Sequence, residues 1–286
     1  MTARLIETPF AEPLGGRLAS PQQAGTRLYW LGQAGFVIEI GGRRIVIDPY
    51  LSHTLEAKYA QTPYSHKRVM PAPVSPDELG DVDLALCTHH HTDHMDPGTL
   101  APLARRLPNL RFVVPAASAA LARERAQVDD DRLILIDAGA KIEPLPNVEL
   151  RALQAAHETI ERDESGHRRF LGFSVASGRT SVFHSGDCVP YEGQVEELAR
   201  AAPDLALLPV NGRSDPLRRA GFAGNFRIEE ALALCVGAGV PSVIAHHYGM
   251  FAFNTVDPEV MDRTLTAAPI HALRARMQVV WTLRLD

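Results

Sequence analysis

The stretch Thr88–Asp96, THHHTDHMD, holds four of the chain's twelve histidines and two aspartates in nine positions. His89 and His91 stand one residue apart, and Asp93 and His94 follow. Imidazole nitrogen and carboxylate oxygen together suit Zn, Mn, Fe or Ni, with no thiolate required. A helix would throw positions two apart onto different faces, whereas a loop leaving a strand can aim them all inward. Further candidates sit where apolar runs end. His157 ends VELRALQAAH, Asp187 ends TSVFHSGD, and His246 and His247 end PSVIAHH. His89, His91, Asp93, His94, His157, Asp187 and one of His246 and His247 make seven side chains. Seven suffice for two divalent transition metals sharing the aspartate, roughly 3.5–4 Å apart, an arrangement that activates water.

Such a set needs strands that end at one edge. TRLYWLG, GFVIEIGG and RRIVIDPY follow one another closely and read as an antiparallel meander. VDLALC is a short buried strand leading into the histidine cluster, and PGTLAPLARRL is a helix with Asp96 as its N-cap. RFVVP and RLILID are strands joined by a helix over roughly 116–126. VELRALQA, FLGFSVAS and TSVFHSGD begin a second batch, continued by DLALLPV, PSVIAHH and MQVVWTLRL with helices between them. Two batches, each opening antiparallel and passing into alternation of helix and strand, fit two stacked sheets with helices outside. Residues 1–25, rich in Pro, Gly and Ala, read as an extended N-terminal arm, and 26–286 as a single domain. Residues 52–80 are Pro-rich and longer than an ordinary connector, which suggests a binding loop.

Composition narrows the function classes. A net charge of −5 offers no general attraction to nucleic acid or anionic membranes. Three widely spaced cysteines do not make a disulfide framework and fit a reducing compartment. With no apolar run long enough for a signal peptide or a membrane span, the expected location is cytoplasmic.

HxHxDH, a distant histidine, a GD after a strand and a late strand-end histidine together resemble the metallo-β-lactamase superfamily, over about Tyr29 to His247. VFHSGD and VIAHHYGMF resemble the branch that contains L-ascorbate-6-phosphate lactonase. The resemblance implies an α/β fold: a four-layer αββα sandwich of two mixed sheets with helices outside. It implies His89, His91 and His157 for one metal, Asp93, His94 and His247 for the other, and Asp187 as the bridge. Two divalent metals are implied, Zn or Mn first, Fe or Ni next. Asp48 would hold a ligating imidazole and His184 would support the site from behind, while His90 and His246 would point away.

The implied activity is metal-dependent hydrolysis, with a hydroxide bridging the ions and Asp93 and His94 at the reacting centre. The substrate would be a small molecule, an ester or lactone, with a sugar-phosphate lactone as the specific case. A phosphodiesterase, including the phospholipase-D-like branch, is the alternative; a non-catalytic metal-binding protein is another. Pocket residues are expected from Tyr50, His53, Lys58, His66, Lys67 and Arg68 in the long segment, and from Asn211, Arg213, Tyr248 and Asn254. Arginine or lysine there would grip phosphate or carboxylate. Exposed sheet edges leave room for a homo-oligomer.

Overall fold

The computed structural model describes residues 3–285. In chain order the first strands are β1 (Ala3–Pro9), β2 (Thr26–Gly32), β3 (Gly35–Ile40), β4 (Arg43–Ile47), β5 (Leu84–Leu86), β6 (Arg111–Pro115) and β7 (Leu133–Ile136). Then come β8 (Lys141–Leu145), β9 (Val148–Gln154), β10 (Leu171–Ser177), β11 (Thr180–His184), β12 (Leu205–Pro209), β13 (Ser242–His246), β14 (His271–Arg274) and β15 (Val279–Leu285). The helices are α1 (Leu14–Ala19), α2 (Thr54–Lys58), α3 (Pro97–Arg106), α4 (Ala119–Ala126), α5 (Gln194–Ala201), α6 (Asp215–Arg219), α7 (Ile228–Ala238) and α8 (Pro258–Thr266). None is long and apolar enough to cross a membrane.

One sheet runs β1-β15-β2-β3-β4-β5-β6-β7, the other β14-β13-β12-β11-β10-β9-β8. Each is mixed. Pairing is antiparallel from β1 to β4 and parallel from β4 to β7. In the second sheet β8 to β11 are antiparallel and β11 to β14 parallel. Strand alternation sorts the core. Leu28, Trp30, Phe36, Ile38, Ile45, Ile47, Leu84 and Leu86 face the other sheet and meet Leu150, Phe173, Val175 and Leu207. Their neighbours Tyr29, Leu31, Val37, Val46 and Ala85 face outward onto Leu100 and Leu103 of α3 and Ala122 of α4. Sheets covered on both faces require apolar runs with little polar relief, as β2 to β5 show. The expected two-sheet sandwich with helices outside is the observed architecture.

The expected N-terminal arm is not one. Ala3–Pro9 pairs along its whole length with β15, and α1 buries Leu14 and Leu18. Its partner lies at the far end of the chain, so no nearby residue announces the pairing; residues 1 and 2 lie outside the described part. The edge strands β8 and β14 and the short helices α2 and α6 also escape the sequence pattern.

Asp96 is a hub at the start of α3. Its carboxylate accepts from Gly98 N and Thr99 Oγ1 within the helix, and from Ser52 Oγ and Thr54 Oγ1 of the long segment. It is fully buried. Asp96→Ala would strip a helix cap and orphan hydroxyls on two segments, so a loss of about 2–4 kcal/mol is expected in urea unfolding.

Candidate metal centre

The parallel strands and β9 end at one edge, and the candidate side chains leave from there. His89, His91, Asp93 and His94 follow β5; His157 follows β9, Asp187 follows β11 and His247 follows β13. The loops are tied together by backbone bonds: Leu171 N to Thr88 O, Val189 N to Ala156 O, and His247 N to Gln33 O. Gly186 adopts φ +63°, and a Cβ there would meet Leu171 O and Thr88 Cβ at 2.8 Å. Only glycine admits that approach between the sheets.

Three overlapping groups have ligand atoms within 4.8 Å of one another: His89, His91 and His157; His89, His94 and Asp187; and Asp93, His94 and His247. His91 Nδ1 lies 3.1 Å from His157 Nε2. Asp187 Oδ1 lies 3.1 Å from His247 Nε2 and 3.3 Å from His94 Nε2, and its Oδ2 lies 3.8 Å from His157 Nε2. His89 Nε2, His94 Nε2 and Asp187 Oδ1 are buried without a hydrogen-bond partner. Buried polar atoms rarely stay unpaired, and here they converge, so the residues fit divalent ions.

Asp48 sits behind them, fully buried. It accepts from Thr88 N and Thr88 Oγ1 and from His94 Nδ1, at 2.8, 2.6 and 2.7 Å. The last bond leaves the His94 Nε2 lone pair facing Asp187. His184 donates from Nε2 to Ala34 O and accepts at Nδ1 from Gly186 N, which steadies the turn before Asp187. His246 packs between His184 and Phe36, away from the groups, and His90 belongs to none of them.

Electrostatics separate the histidines. Burial and then His94 depress His89 far below its ordinary value, while burial and His157 bring His91 down to about 3. Burial opposes charge on His94 too, but Asp187, Asp48 and Asp93 outweigh it and raise His94 well above normal. Burial would raise Asp187, and His247 and His94 overcome it, holding the carboxylate well below its usual range. A cation entering here meets neutral His89 and His91 and an ionised Asp187, the forms that bind metal, and would displace the proton that the carboxylates hold on His94.

A cavity of about 120 Å³ opens above the groups, lined by His91, Asp93, His157, Asp187 and His247. Of the expected pocket residues, Lys58, His66 and Asn254 line it. Tyr50, Lys67, Arg68, Arg213 and Tyr248 do not, which corrects that expectation. Arg68 is buried, donating to Met70 O and Tyr50 O, with its guanidinium over the Tyr50 ring. Lys67 is exposed, as is His53, which pairs with Glu56. Tyr248 stacks on Trp30 and its hydroxyl bonds Ala275 O and Arg274. Arg213 forms a forked pair with Glu230 in a neighbouring cleft of about 440 Å³.

Two positioning residues carry no motif. Gln33 donates from Nε2 to Asp93 Oδ2 at 2.9 Å and lies 3.2 Å from His247 Nε2. Arg125, on α4, grips His90 O and Met95 O and so holds the histidine loop from outside. A polar residue inside the Gly-rich β2–β3 turn was the only available signal for Gln33. Gln33, Asp48 and His247 also adopt left-handed backbone, with φ of 50°, 46° and 65°. Such conformations cost about 1–3 kcal/mol each in non-glycine residues and cluster at working sites.

Residues 43–248 match the family model described as the beta-lactamase superfamily domain. The chain belongs to the beta-lactamase superfamily. Among superfamily relatives, a UPF0173 metal-dependent hydrolase of Caldivirga maquilingensis is 29% identical over 233 residues, covering 81% of this chain and 86% of the relative. The structure of a possible metal-dependent hydrolase from Veillonella parvula aligns with TM-score 0.72 at 19% identity, over 90% of this chain and 99% of that one. An isothiocyanate hydrolase from Delia radicum gut bacteria aligns with TM-score 0.69 at 15% identity, over 91% and 100%. At these identities the two structures speak for the superfamily fold alone.

Proposed function

We propose that this chain is a metal-dependent hydrolase acting on a small ester or lactone. His89, His91 and His157 would hold one divalent ion and Asp93, His94 and His247 a second, with Asp187 placed to serve both. The observation that carries the reading is the convergence of buried, unpaired ligand atoms: His89 Nε2, His94 Nε2 and Asp187 Oδ1. The donor set of imidazole and carboxylate suits Zn or Mn first, and Fe or Ni next. Ions held there would supply Lewis acidity and lower the pKa of water.

The remaining chemistry belongs to the chain. Asp93 reaches the cavity floor with Gln33 Nε2 fixing its Oδ2, and it is placed to take a proton from the attacking water and return it to the leaving group. His94, held through Nδ1 by Asp48, would present its Nε2 to the second ion, which would carry the positive potential beneath the developing oxyanion. The three cysteines are free and buried, which favours a cytoplasmic setting.

Purification without added metal followed by elemental analysis tests this. Up to two transition-metal ions per chain are expected. Chelation should abolish hydrolysis of a lactone and ester panel and lower the melting temperature, with Zn or Mn restoring both. Turnover of bis-4-nitrophenyl phosphate in preference to every ester would favour the phosphodiesterase alternative. Metal binding without turnover of either would leave a non-catalytic metal protein.

A further inference from the structure

The cavity has two unlike sides. On one, a chain of amides starts beside Asp187. The backbone N–H of Cys188 can only donate, and it donates to Asn225 Oδ1 at 2.8 Å. That fixes the Asn225 amide, whose Nδ2 donates to Asn211 Oδ1 at 2.9 Å. Asn211 Nδ2 then donates to Asn254 Oδ1, again at 2.9 Å. Each orientation follows from the one before, because an amide whose oxygen is taken must offer its nitrogen. Asn254 Nδ2 is left without a protein acceptor among the described residues, at a side chain that lines the cavity.

The other side is aromatic. His66 stacks on Tyr59 with ring centres 4.0 Å apart and lies 4.8 Å from Phe251. Phe222 stands 5.9 Å from Tyr59 and 5.3 Å from Phe253 behind it. Three separate segments meet to build this wall. Burial keeps His66 below its ordinary value, so the ring adds no charge at neutral pH. Lys58 is the one lysine or arginine among the described residues that line the cavity, and its Nζ rests 5.3 Å from the Tyr59 ring centre. Arg68 and Arg213 are committed elsewhere. Bound ions would offset Asp93 and Asp187, but away from them a substrate's phosphate group would meet the aromatic wall with Lys58 as its single cationic partner. The volume of about 120 Å³ approaches that of cavities that take one benzene ring, about 150 Å³.

We infer that the substrate is a small uncharged carbonyl compound bearing an aryl or branched alkyl group, which rests on the Tyr59–Phe222–Phe251 wall while Asn254 Nδ2 donates to its oxygen. This rests on the hydrolytic reading and narrows its substrate class away from sugar-phosphate lactones.

Acetophenone, a neutral ketone that cannot be hydrolysed, separates recognition from turnover. It should bind the metal-free protein in ligand-observed NMR. Asn254→Asp, which keeps the bond from Asn211 but removes the donor, should weaken that binding about tenfold. Phe222→Ala should weaken it by a similar factor, about tenfold. In the Zn- or Mn-loaded protein, phenyl acetate should exceed 6-phosphogluconolactone in kcat/KM by at least about tenfold. Preference for the phosphorylated lactone, or unchanged acetophenone affinity in Asn254→Asp, would overturn the inference. Acetophenone binding with no ester turned over would uphold the recognition site and sink the hydrolytic reading instead.

Discussion

Replacing Asp187 with alanine is expected to reduce hydrolysis by about 10³-fold or more, a loss of the size seen when a central charge-stabilising group is removed. The reason is position. Asp187 approaches His94 and His247 through one oxygen and His157 through the other, so it alone among the described residues reaches both candidate ion positions through its carboxylate. Without it, His247 loses its nearest carboxylate and His94 the carboxylate that faces its Nε2, and no side chain would be left to serve both ions. Elemental analysis should find fewer ions per chain than in the parent. Far-UV circular dichroism should be unchanged, because Gly186 and His184 still shape the turn. A variant that retains both ions would remove Asp187 from the bridge. Asp187→Asn, with one acceptor left, should fall between parent and alanine variant.

The second large effect is at Asp48. Asp48→Ala removes three hydrogen bonds and leaves Thr88 N, Thr88 Oγ1 and His94 Nδ1 unpaired in the interior. It also leaves alanine at φ +46°, where no side-chain bond compensates the strain. A destabilisation of about 3–5 kcal/mol is expected in chemical unfolding. Asp48→Asn discriminates between support of the fold and support of the metal. Its oxygen can still accept from Thr88, but its NH2 group cannot accept from His94 Nδ1. Metal affinity should fall about 10–100-fold, measured by competition with a chelating dye, with much less cost in stability than the alanine change. Equal stability losses in the two variants would assign Asp48 to the fold alone.

The candidate site was legible because its residue types are rare in combination and each follows an apolar run. HxHxDH, His157, Asp187 and His247 all lie at strand ends that the apolar runs of β2 to β5 and β9 to β13 mark out. The structure brings these side chains together at one edge. Substrate-facing residues were far less legible. Arg68 and Arg213 have the right chemistry for an anion, yet Arg68 serves backbone carbonyls and Arg213 serves Glu230. Which way a long side chain turns depends on partners that spacing does not reveal. Gln33 and Asn225 were invisible for the converse reason, and Asn211 and Asn254, though expected near the pocket, gave no sign of the amide chain that joins them: single polar residues acquire meaning only through contacts across more than ten residues of chain. Likewise β1 carries only Ala3 and Leu5 as buried positions, too few to declare a strand without sight of its partner.

That partner bears on the order of events during synthesis. β15 lies between β1 and β2, so β1 has no neighbour in its sheet until β15, more than 260 residues later, has been made. Throughout translation β2 presents an open hydrogen-bonding edge and β1 remains unmatched. The pairing Ala3↔Leu285 closes a loop of nearly the whole chain, a slow step by any measure of contact separation. A ribosome stalled shortly before Val279 would therefore hold a nascent chain that already contains every candidate ligand but exposes a sticky seam, a natural substrate for chaperones.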